Sequence, residues 1–127
     1  MTGAAGVGID LTDVKRRKSL RERYGDAFLE RTFCDFEIDY CKKFKEPDSH
    51  FAARFAAKEA MAKALGTGFS GDITLKSLGV KNGESGEPVA VLDDAAKARL
   101  KQIGAEKILV SISHLKDYAQ AIAIAVK

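Results

Sequence analysis

Two shortages narrow the reading of this chain before any motif is considered: it has only two cysteines, and it has no long apolar run. Cys34 and Cys41 stand seven residues apart, which on one helix separates them by about 10 Å along the axis. That is too far for a disulfide, and no third or fourth ligand of zinc type lies near them in the sequence. Two thiols in a reducing compartment is the expectation. A membrane-spanning helix needs about 20 mainly apolar residues, and no stretch approaches this. Residues 1–4 lack the charged and apolar regions of a signal peptide, so a cytoplasmic location is expected. The net charge is only +3, which argues against a general binder of polyanions by bulk charge. A zinc motif and a strand-borne set of RNA-reading aromatics are also missing.

What is present suits a soluble globular chain. A length of 127 residues fits one domain with a real core, expected to cover 1–127. The apolar share of 46% and charged share of 31% leave little room for disorder. Residues 5–11 alternate as a strand, with Val7, Ile9 and Leu11 on one face and Gly6, Gly8 and Asp10 on the other. Thr12 is a candidate N-cap for a helix through the basic run that follows, which Gly25 interrupts. Phe28 to Phe33 leads into a second helix whose core stripe is Phe33, Phe36, Tyr40 and Phe44. Pro47-Asp48-Ser49 starts a third, long helix over about 49–65, stopped by Gly66.

The second half reads as strands at 73–80 and 88–92 around a turn at 82–86, then a short helix capped by Asp93-Asp94. A closing hairpin follows, with strands at 107–113 and 118–126. In the last strand Ala119, Ala121, Ala123 and Ala125 face one way, and Ile122, Ile124 and Val126 the other. Both faces are apolar, so both should be covered, and an oligomer is expected to cover the second. No repeat, low-complexity tract or linker divides this α+β chain.

The long helix carries the chemistry. Glu59 and Lys63 stand one turn apart, with Arg54 and Lys58 in a neighbouring basic row. The first strand supplies a second carboxylate, Asp10. Taken singly, Asp10 reads as a turn former, Glu59 and Lys63 as an exposed pair, and His114 as a surface residue. Gly66-Thr67-Gly68 reads as a helix stop without the Gly-Lys-Ser/Thr ending of a P-loop. Taken together, the acids and cations point to magnesium-assisted phosphate chemistry, because magnesium commonly takes one or two carboxylates and fills its octahedron with water and phosphate oxygens. Lys15, Arg16, Arg17, Lys18, Arg21 and Arg23 put six cations into nine positions, a candidate dock for an acidic partner.

Five elements occur in the order and spacing of a known family. They are Gly6-Val7-Gly8-Ile9-Asp10; Phe28-Leu29-Glu30-Arg31-Thr32-Phe33 with Glu37; Arg54-Phe55-Ala56-Ala57-Lys58-Glu59-Ala60 with Lys63-Ala64-Leu65-Gly66-Thr67-Gly68; Gly86-Glu87-Pro88; and Val110-Ser111-Ile112-Ser113-His114. From about residue 6 to 126 the chain resembles the holo-acyl-carrier-protein synthases, the short 4′-phosphopantetheinyl transferases. The resemblance implies an α+β fold of that kind, an antiparallel sheet packed with a long central helix, usually a homotrimer with active sites at subunit interfaces. It implies transfer of phosphopantetheine from coenzyme A to a serine of an acidic acyl carrier protein, with magnesium, releasing adenosine 3′,5′-bisphosphate and serving fatty acid biosynthesis. It places the metal ligands on Asp10 and Glu59, with Lys63 beside them at the diphosphate. Arg54, Lys63, Gly66, Ser113 and His114 become candidates for coenzyme A, and Lys15, Arg16, Arg17 and Arg21 for the carrier. The serine proton could go to a metal-bound water, to Glu59 or to His114, with water or a carboxylate preferred. Cys34 stands where the family commonly has threonine, which should weaken the cap of the second helix. Neither nucleic acid nor a membrane is expected as partner. The rival readings are the same transferase dedicated to the carrier domain of a large fatty acid or polyketide synthase, and a silent module that binds coenzyme A.

Overall fold

The computed structural model describes residues 3–127; Met1 and Thr2, half of the segment read for signal-peptide features, lie outside the described residues. The chain runs β1 (Ala4–Asp13), α1 (Val14–Tyr24), α2 (Asp26–Thr32), α3 (Asp35–Cys41) and α4 (Asp48–Leu65). After one 3₁₀ turn (Leu75–Ser77) come β2 (Leu78–Asn82), β3 (Pro88–Leu92), α5 (Asp94–Gln102), β4 (Lys107–His114) and β5 (Tyr118–Val126). Strands β1, β5 and β4 form an antiparallel sheet in that order, and β2 and β3 form a separate hairpin.

Helix α4 lies against the three-stranded sheet, and small residues on both sides let it come close. The inward residues of β5 are Ala119, Ala121, Ala123 and Ala125, all fully or nearly buried, and α4 meets them with its own buried alanines. On β1 it is the glycine face that turns inward. A Cβ on Gly6 would collide with the carbonyl oxygen of Ala64, and one on Gly8 with that of Ala60. Val7, Ile9 and Leu11 therefore point outward and are 62%, 53% and 63% exposed. Gly66 ends the helix in the left-handed region, φ 75°, where a side chain would be strained.

Four local expectations need correction. The N-cap of α1 is Asp13, whose Oδ1 accepts from the Lys15 backbone N–H at 2.8 Å, while Thr12 stays in the strand opposite Ala119. The second helix is two helices. Phe33 is extended (φ −118°, ψ 151°), which turns its ring onto Phe51 in a core of Leu29, Cys41 and Phe51. The stripe then belongs in part to other residues: Glu37 and Cys41 are buried, whereas Phe44 lies beyond α3 and stacks on His50. The strand expected at 73–80 begins only at Leu78, because Ser77 folds back on Thr74 and Lys58 draws in the Leu75 carbonyl.

Lys58 leaves the basic row altogether. It is fully buried, with Nζ 2.6 Å from Glu37 and donating to the carbonyls of Leu78 and Leu75 at 2.7 and 2.9 Å. Glu37 in turn accepts from the backbone N–H groups of Cys34 at 2.9 Å and Val80 at 3.0 Å. This closed set joins α3, α4 and β2, and the Glu37 bond supplies the N-terminal stop that Cys34 itself was expected to weaken. Both cysteines are free thiols, and burial pushes that of Cys41 up to about 12. No helix among the described residues is long and apolar enough to cross a membrane.

Candidate active site

Strand β1 and helix α4 bring Asp10, Glu59 and Lys63 together. Asp10 shares the inward side of β1 with Gly6 and Gly8, and so faces the exposed edge of α4. Lys63 Nζ donates to the Ile9 carbonyl at 2.8 Å and lies 3.6 Å from Asp10 Oδ1. Glu59, one turn earlier, opens with Asp10 onto a cavity of about 470 Å³ that Arg16, Arg17, Phe55 and Tyr118 help to line. Burial pushes the Glu59 carboxyl above its ordinary value, the Asp10 charge pushes the same way, and Lys63 and Arg17 oppose them. Two carboxylates that repel each other in a partly dry pocket form a site short of positive charge. Among the described residues no three His, Cys, Asp or Glu side chains gather to hold a metal alone. A cation held by the Asp10–Glu59 pair would keep places for water and phosphate oxygens, which suits magnesium.

The other expected residues lie outside this cavity. Arg54 is 6% exposed, with its guanidinium 4.3 Å over the Tyr40 ring and donating to Asn82 Oδ1. His114, at the exposed end of β4, meets His50 edge-on at 5.0 Å, and His50 stacks flat on Phe44 at 3.6 Å. Burial lowers the His50 pKa, and the charges of His114 and Arg54 lower it further. Ser113 is exposed opposite Gln120 in the sheet, and Gly66 is exposed at the end of α4. Gly66 donates its backbone N–H to the Lys63 carbonyl at 3.0 Å, but among the described residues no hydrogen bond or ion pair joins Arg54, Ser113 or His114 to the side chains of Asp10, Glu59 or Lys63. The basic helix divides too. Lys15 and Arg16 are exposed, but Arg21 is held by Asp48 through bonds of 2.6 and 2.9 Å. Sequence reasoning passed over His50, Asn82 and Phe55. The first two sit in ordinary helix-start and turn positions, and Phe55 reads as part of the helix core.

Residues 6–123 match the 4′-phosphopantetheinyl transferase superfamily. The chain belongs to this family. The holo-[acyl-carrier-protein] synthase of Desulforudis audaxviator is 45% identical over 121 residues, covering 95% of this chain and 92% of that protein. That of Chlamydia trachomatis serovar L2 is 41% identical over 120 residues, covering 94% and 98%. Among solved structures, the holo-[acyl-carrier-protein] synthase of Neisseria meningitidis superposes with a TM-score of 0.90 at 31% identity, over 98% of this chain and 100% of that one. The Helicobacter pylori synthase, solved in complex with coenzyme A, gives 0.83 at 27% identity, over 95% and 99%. Within the superfamily the chain is thus an enzyme of the short holo-acyl-carrier-protein synthase type, with that α+β fold of antiparallel sheet against long helix.

Proposed function

We propose that the chain, acting as one domain over 1–127, transfers 4′-phosphopantetheine with magnesium held between Asp10 and Glu59. The reaction moves the phosphopantetheinyl group from coenzyme A to a serine of an apo acyl carrier protein. The serine oxygen forms a bond to the phosphorus bearing pantetheine. The bond from that phosphorus to the oxygen of the leaving adenosine 3′,5′-bisphosphate breaks. Such transfers depend on alignment and neutralised charge more than on covalent help from the protein. When bound, the magnesium ion would draw charge from the diphosphate oxygens. Asp10 and Glu59 hold the cation side of the site, Lys63 offsets charge on the leaving group, and the serine proton passes to water beside the carboxylates. The observation that carries the reading is that Asp10 and Glu59 open onto one cavity, with Lys63 Nζ 3.6 Å from Asp10 beside it.

Arg54, Gly66, Ser113 and His114 bind coenzyme A, and the separation of Arg54 and His114 from the carboxylates is resolved by assembly. Across the outer sheet face Val7, Ile124 and Leu109 sit in register, as do Ile9 and Ile122. Val7, Ile9, Leu11, Leu109 and Ile122 together expose more apolar surface than scattered single side chains would. A homotrimer covers this face and sets the Arg54–His114 end of one copy beside the Asp10–Glu59 pair of another. Lys15 and Arg16 are the free charges that meet the acidic carrier. Neither nucleic acid nor a membrane is a partner in this reading, and the enzyme works in the cytoplasm.

Intact-mass spectrometry of an apo carrier incubated with the chain, coenzyme A and magnesium tests the activity: transfer adds about 340 Da, the phosphopantetheine mass. No gain with any of several carriers, including excised carrier domains of large synthases, refutes the reading. A monomer in sedimentation at micromolar concentration refutes the assembly.

A further inference from the structure

Arg17 does not behave like the exposed cations around it. Its guanidinium lies 4.2 Å over the Phe55 ring and turns into the cavity that Asp10 and Glu59 line. Its Nε is buried with no hydrogen-bond partner. Among the described residues Arg17 makes no ion pair; burial and the adjacent Arg16 charge lower its pKa, and the charges of Glu59, Asp10 and Asp13 only partly oppose them. A cation therefore faces two carboxylates across a gap without touching either.

The Nη end of the guanidinium, on the cavity side, also has no acceptor among the described residues, and a partly buried unpaired cation carries a desolvation cost. Whatever fills the gap must present an acceptor to Arg17 and, through a cation, to the carboxylates. A phosphate group does both, since its oxygens suit the planar guanidinium fork. We propose that Arg17 is a further substrate-binding residue of this site, taking a non-bridging oxygen of the coenzyme A diphosphate opposite the Asp10–Glu59 pair. This rests on the transferase reading above. Phe55 presets the guanidinium, so little side-chain freedom is lost on binding. The contact offsets negative charge on the oxygens of the phosphoryl group that the serine attacks, and adds to the charge of Lys63 beside Asp10. The neighbouring Arg16, exposed on α1, serves the carrier instead.

The test compares Arg17→Leu, Arg17→Lys and Arg16→Leu in the full chain, with calorimetric binding of coenzyme A in magnesium and steady-state transfer to an apo carrier. Arg17→Leu should raise both Kd and KM for coenzyme A by about tenfold or more, the loss of one charge-assisted hydrogen bond. Its KM for the carrier should rise less than twofold, roughly the limit for a distant screened charge. Arg17→Lys should recover part of the loss, because it keeps the charge and lacks the fork. Arg16→Leu should show the opposite pattern. If Arg17→Leu raises the carrier KM and leaves coenzyme A binding unchanged, Arg17 is a docking residue and the inference is wrong. Unchanged values for both substrates overturn it equally. Should circular dichroism show Arg17→Leu unfolded, Arg17→Lys decides, with an unaltered Kd for coenzyme A counting against the contact. A wild-type chain that neither binds coenzyme A nor modifies a carrier sinks the transferase reading itself, a result distinct from an active enzyme indifferent to Arg17.

Discussion

Replacing Lys58 by methionine should destabilise the chain more than any single surface change, although the position adjoins Glu59. Lys58→Met leaves Glu37 fully buried with no cation, and strips a donor from the Leu75 and Leu78 carbonyls. Removing one partner of a buried ion pair costs about 3–5 kcal/mol, against a total of roughly 5–15 kcal/mol for a small domain. With a urea slope of about 1–3 kcal/mol per molar, the midpoint should fall by on the order of 2 M. The double variant Glu37→Leu with Lys58→Met is the sharper probe. Buried pairs can often be exchanged for apolar residues at no loss. Here the exchange also orphans the Cys34 and Val80 N–H groups and the Leu75 and Leu78 carbonyls. Each unmet buried group costs about 1–3 kcal/mol, so the double variant should stay at least as unstable as the single one. Urea unfolding followed by circular dichroism at one fixed protein concentration measures this, since assembly would make stability depend on concentration. A double variant that regains the wild-type midpoint would refute the reasoning.

Asp10→Ala and Glu59→Ala should each lower turnover by orders of magnitude while leaving the circular dichroism spectrum intact; near-normal rates at limiting magnesium would count against the metal assignment. Gly8→Ala should cost about 1–3 kcal/mol through overpacking against the Ala60 carbonyl, visible as a lower Tm and, by parting Asp10 from Glu59, as reduced kcat. Glu59 has its folded pKa raised above the ordinary 4.5, so the folded chain binds the extra proton. Metal-free stability should therefore rise as pH falls through that raised pKa toward 4.5 and decline as pH climbs back; thermal melts in chelator show this only if Glu59→Gln abolishes the trend. Raising salt should increase the KM for the carrier more than that for coenzyme A, and equal increases would speak against a docking role for α1.

Much of this architecture could be read from the chain because local and global signals agree. The long helix, its Gly66 stop, the Asp93 cap of α5 and the closing hairpin all lie within a residue or two of expectation. Misreadings arose where a side chain competes for the backbone. Ser77 and Lys58 claim groups that a strand from residue 73 would have paired, and Phe33 trades a continuous helix for burial of its ring. Periodicity also could not say which face of β1 is covered, since glycine carries no hydropathy yet gives the closest approach. At the site, the joining of Asp10, Glu59 and Lys63 was legible because strand alternation and helical spacing each set one half of it. The inward turn of Arg17 was not, because in the sequence it is one cation among six in nine positions.

At Gly6 and Gly8 strand β1 meets α4 against the carbonyls of Ala64 and Ala60, with the Lys63 side chain beside Gly8. The separation of the strand and helix backbones that carry the two acids is consequently set by main-chain geometry at the glycines. Substitutions elsewhere on the protein, including a wholesale redesign of the cationic first helix to suit a different carrier, can accumulate without altering the spacing on which the diphosphate depends.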